Sequence, residues 1–76
     1  MNKDRRKRIQ NIREQLMNLQ TEIEEINDEE QEAYDKLPEL QEEGEEGKKI
    51  SDAVDNLDSA YFSLEDVIGS LNKAIQ

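Results

Sequence analysis

The chain contains no histidine, cysteine or tryptophan. The absence of histidine removes the side chain that exchanges protons nearest neutral pH, and with it the commonest transition-metal ligand. The absence of cysteine removes disulfides, thiolate nucleophiles and zinc–sulfur sites. There is one proline and there are three glycines, all beyond residue 37, so nothing interrupts a helix over the first half of the chain. No apolar run approaches the ~20 residues of a membrane span. The apolar residues after Ile9 are spaced by polar ones, so no targeting segment is expected. A soluble cytoplasmic protein follows as the expectation.

What the chain has in quantity is charge. Of its 76 residues, 20 are acidic and 10 basic, giving a net charge of −10. Leu, Ile, Val and Phe together number 17, just above the ~20% below which a highly charged chain tends to stay disordered. A domain this small needs an economical way to bury so few apolar groups.

Their spacing supplies one. Ile9, Ile12, Leu16, Leu19, Ile23 and Ile26 follow steps of three and four, and Glu30, Ala33 and Leu37 continue the register. This is a heptad seam, with Ile9, Leu16, Ile23, Glu30 and Leu37 at a and Ile12, Leu19, Ile26 and Ala33 at d. Asn2 or Asp4 is placed to cap its start. Pro38 disfavours helical geometry at Leu37, so helix one should run from about 3 to 36. The second half contains a repeat: residues 48–54, 55–61, 62–68 and 69–75 are four successive heptads. Ile50, Leu57, Leu64 and Leu71 fall at d and Val54, Tyr61, Ile68 and Ile75 at a. Ala53, Ala60, Val67 and Ala74 add a third apolar row at g. Helix two is expected over about 49–75.

Residues 37–48 join the rods as an acidic loop, in which Pro38 opens a short helical turn that Gly44 ends, with Gly47 a further stop signal. So short a connection folds the rods back on each other. The expected fold is all-α: residues 1–76 form one antiparallel two-helix hairpin. Its register sets Arg13 opposite Asn72, Gln20 opposite Glu65, and Asn27 opposite Asp58, none of them a like-charge pair. The three apolar rows of helix two exceed what one neighbour covers. The expectation is therefore a homodimer, two hairpins forming a four-helix bundle. The stripe assigned to the dimer or to a docked partner comprises Ala53, Val54, Leu57, Ala60, Tyr61, Leu64, Val67, Ile68, Leu71, Ala74 and Ile75.

Candidate functional residues are sorted by charge. Residues 22–46 hold thirteen carboxylates and one lysine. From Glu22 to Asp35 there are eight acids over ~21 Å of helix, against one charge per ~1.7 Å in duplex DNA. An acidic partner-binding face is assigned to Glu22, Glu24, Glu25, Asp28, Glu29, Glu32 and Asp35, continued by Glu42, Glu43, Glu45 and Glu46. It suits a basic, nucleic-acid-gripping surface on another protein, and equally a solvated face that keeps a small protein soluble. Arg5, Arg6, Lys7 and Arg8 form a basic arm able to touch phosphate. The net charge of −10 and the lack of interleaved aromatics argue against nucleic acid as the partner. Phe62, at b, stands outside the stripe and is a candidate exposed anchor. No nucleophile–base pair or phosphate-cradling loop exists, and the carboxylates lack the spacing of an EF-hand loop. Neither enzymatic activity nor a cofactor or metal is expected.

The segment Glu29 to Gln41, E-E-Q-E-A-Y-D-K-L-P-E-L-Q, resembles a pattern in small uncharacterised acidic coiled-coil proteins of bacteria and their phages or mobile elements. In these a Glu-rich helix ends in an acidic–apolar–Pro–Glu turn, and a helix of Leu/Ala/Ile heptads follows. The resemblance implies a mobile-element origin, no catalytic residues, and inhibition by occupying a host nucleic-acid-binding or defence protein. The expected partners are thus a second copy and an unidentified host protein. The alternative is a structural scaffold whose partner docks on the helix-two stripe.

Overall fold

The two heptad rods meet in a computed structural model that describes all 76 residues. Helix α1 spans Lys3–Asp35, the one-turn α2 Glu39–Glu42, and α3 Glu45–Ala74, and there are no strands. The two long helices pack against each other as an antiparallel hairpin, elongated to 58 × 14 × 13 Å.

Local chemistry sets the ends. The Asn2 side chain accepts a hydrogen bond from the Arg5 amide at 2.8 Å, closing the first turn of α1. α1 stops before the Leu37–Pro38 step, and the Pro38 carbonyl then accepts from Gln41 and Glu42 to start α2. Gly44 is the residue from which α3 departs, its carbonyl accepting from Lys48 at 3.1 Å. Helix α3 thus begins at Glu45, ahead of the start near Lys49 that the heptads suggest. Gly47 lies inside its first turn and is buried. The expected stop signal is a contact residue, because α2 crosses there: a Cβ on Gly47 would collide with the Glu42 backbone, 2.6 Å from its Cα.

The seam differs from the expected one on α1. Along α3 the a and d rows face inward, with Ile68 buried and Val54, Leu57, Tyr61, Leu64, Leu71 and Ile75 partly covered. On α1 the residues turned inward are a and e: Ile9, Arg13, Leu16, Gln20, Ile23, Asn27, Glu30, Tyr34 and Leu37. The d residues Ile12, Leu19 and Ile26 remain about half exposed, at 48, 50 and 48%, and Ala33 is exposed as well. The physical reason lies in the e row. Arg13 donates to Asn72 Oδ1 at 2.8 Å, Gln20 to Glu65 Oε2 at 2.5 Å and to the Tyr61 carbonyl at 3.2 Å, and Asn27 to Asp58 Oδ1 at 2.6 Å. Three of these four bonds end on a carboxylate or involve a guanidinium, the stronger kind of hydrogen bond. Rolling α1 toward its e row makes them and lifts the d row out.

Candidate interaction surfaces

The rolled hairpin has two unlike flanks. One carries the hydrogen-bonded ladder, repeated every seven residues along both helices, with Tyr34 and Ser51 lining a shallow groove at its loop end. The ladder pairs the residues the sequence set opposite one another. Gln20 is 8% exposed, the most covered polar side chain of the protein. The Arg13 Nε and Asn27 Oδ1 atoms are covered without a partner.

The other flank is apolar. Antiparallel packing brings the d side of α1 beside the g side of α3, and the ladder's register puts Ile12 level with Ala74, Leu19 with Val67, and Ile26 with Ala60. Val67 is 45% exposed and Ala74 is exposed, while Ala53 and Ala60 are partly covered. Of the eleven stripe residues assigned from sequence, the a and d members are therefore spent within the hairpin. The g row and the α1 d row form the flank left open. Sequence reasoning missed the α1 contribution. The signal was present: four successive e positions hold Arg13, Gln20, Asn27 and Tyr34, all hydrogen-bonding side chains.

The acidic residues lie outward. Glu22, Glu24, Glu25, Asp28, Glu29, Glu32 and Asp35 on α1 are exposed, as are Glu43, Glu45 and Glu46, whereas Glu42 is partly covered. Arg5, Arg6, Lys7 and Arg8 are exposed at the opposite end of the rod. The one ion pair is Lys36 with Glu32, at 3.4 Å and well solvated, a geometry worth about 0–1 kcal/mol. Apart from that pair, neither the acids of the loop end nor the cations of the N-terminal end have an ion-pair partner within the chain. Phe62 is 63% exposed, its ring set edge-on to Tyr61 at 5.5 Å and 84°. It stands on the ladder flank, lining a hollow with Glu24, Asn27, Asp28 and Asp58.

Three surface hollows exist, none larger than about 260 Å³, below the ~300–1,000 Å³ usual for small-molecule sites. No three carboxylates converge as metal ligands, and no helix is long and apolar enough to cross a membrane. No family model, curated protein or solved structure matches the chain.

Proposed function

We propose that this protein is a non-catalytic binding module that acts by occupying another protein. The reading rests on one observation above the others: all but Glu30 and Glu42 of the carboxylates between residues 22 and 46 stand exposed, with a single solvated ion pair among them. Such a face attracts a basic surface through steering and charge complementarity. The shallow relief of the rod fits surface-on-surface contact better than substrate capture. The likeness of residues 29–41 to small phage and mobile-element proteins gives the setting: an inhibitor in the bacterial cytoplasm that covers a host nucleic-acid-binding or defence protein. In this reading the hairpin works as a homodimeric four-helix bundle.

The test compares two baits, the native protein and a variant carrying Glu24→Lys, Glu25→Lys, Asp28→Lys and Glu32→Lys. A host protein held by the first, released by added salt and not held by the second supports the reading, provided circular dichroism shows both helical. Capture that survives both charge reversal and high salt overturns it. That outcome favours the second reading, a scaffold that docks its partner on the apolar flank, for which the exposure of Val67 and Ala74 speaks.

A further inference from the structure

Two features of the rod are unaccounted for by the hairpin alone. The first is the apolar flank of Ile12, Leu19, Ile26 and Val67, each close to half exposed. It runs ~21 Å along the axis from Ile12 to Ile26, and these four side chains present on the order of 350 Å². A contiguous apolar patch of a few hundred Å² marks an interaction surface, and it supplies close to half of the ~800 Å² each partner gives to a standard interface.

The second is the sense of the charge along α1. A helix favours acids in its first turn and cations in its last. Here Lys3, Arg5 and Arg6 crowd the start, with Asp4 the one acid, and the last turn has Asp35 and no cation. The start of α1 thus carries the sign its own dipole disfavours, with no ion-pair partner in the chain, while at its end the single pair Lys36–Glu32 leaves Asp35 and the loop acids without a cation.

We infer that a second copy of this chain covers the apolar flank, lying head to tail so that the basic end of each hairpin rests beside the acidic loop end of the other. The inference rests on the four-helix-bundle reading and adds to it the surface and the direction. A two-fold axis crossing the flank midway between Leu19 and Ile26 sets Leu19 against the second copy's Ile26. The same operation brings Arg5 and Arg6 level with Glu39 and Glu42 of the second copy. Packed with the loops at one end, the same surfaces would stack like charges at both ends. Near the axis Glu22 of each copy approaches the other, one repulsion between exposed carboxylates that solvent screens. The two clustered ends outweigh it. The small g row of α3, with Ala60 and Ala74, lets the helices of the two copies come close. The outward acids Glu24, Glu25, Asp28 and Glu32 stay free for another partner.

The experiment measures mass and direction together. Sedimentation equilibrium should give twice 8.9 kDa, and 0.5 M NaCl should weaken the pair by roughly tenfold or more as the charged ends are screened. Leu19→Glu should return the mass to one chain with helicity kept; Val67→Glu serves the same purpose if the first variant unfolds. For direction, dyes are attached to a cysteine appended before Met1 and, in a second preparation, to Gln41→Cys. Energy transfer should be strong between the two different sites in a mixture, and weak between two N-terminal labels roughly 60 Å apart. A single-chain mass at tens of micromolar overturns both the bundle and this inference. A doubled mass with strong transfer between N-terminal labels overturns the head-to-tail arrangement and leaves the bundle standing.

Discussion

Gln20 Nε2 lies 2.5 Å from Glu65 Oε2 and 3.2 Å from the Tyr61 carbonyl oxygen, so one amide from α1 grips two levels of α3 at mid-rod. Because the pair sits on the e rows, it fixes both the register and the roll of α1. Heptad packing alone fixes only the former.

Breaking that grip has a measurable cost. Gln20→Ala is expected to destabilise the hairpin by about 1–3 kcal/mol, since a hydrogen bond to a charged group is lost at a largely covered site. In a double-mutant cycle with Glu65→Ala, the coupling should be at least about 1 kcal/mol by urea unfolding. Coupling near zero would mean the two side chains do not act together.

Gly47→Ala tests a sign. In an unobstructed helix the change would stabilise by roughly 0.5–1 kcal/mol. Here the new methyl group meets the backbone of Glu42, which cannot yield as a side chain tip does. We expect a loss of about 1–3 kcal/mol, the usual scale of overpacking, with α2 displaced from α3.

Gly69→Ala is the matched control. It sits inside α3 with nothing within 4 Å of the place a methyl group would take. Stabilisation of about 0.5–1 kcal/mol should follow, raising the melting temperature by a few degrees. Opposite signs at the two glycines would show that their surroundings decide, and that residue type does not.

Ile68→Ala and Phe62→Ala should separate in the same way. Ile68 is the one buried large apolar side chain, at 9% exposure, and its truncation should cost about 2–4 kcal/mol. Phe62 is the larger residue yet stands mostly in solvent. Its loss should cost no more than about 1 kcal/mol, the scale of its edge-on contact with Tyr61.

Much of this architecture is legible in the residues. The heptads of both halves give the helices, Pro38 marks the end of the first, and the short connection gives the fold-back. The facing pairs Arg13–Asn72, Gln20–Glu65 and Asn27–Asp58 follow from register arithmetic and are hydrogen-bonded in the folded chain. The candidate site was less legible. Acidic and basic positions are visible in sequence, and so is their separation along the rod. Which apolar rows remain open was not, because a seam of a and d cannot be told from one of a and e until the partner helix shows what each side chain reaches.

The order of the residues by itself determined two rods, their antiparallel register and the charge at each end, because these depend on spacing along one chain. Only tertiary structure decided that Gly47 is a contact and that Ile12, Leu19 and Ile26 face outward. Both outcomes turn on distances between segments far apart in sequence: the closeness of α2 to α3, and the reach of three polar side chains whose hydrogen bonds roll α1 away from its most apolar face.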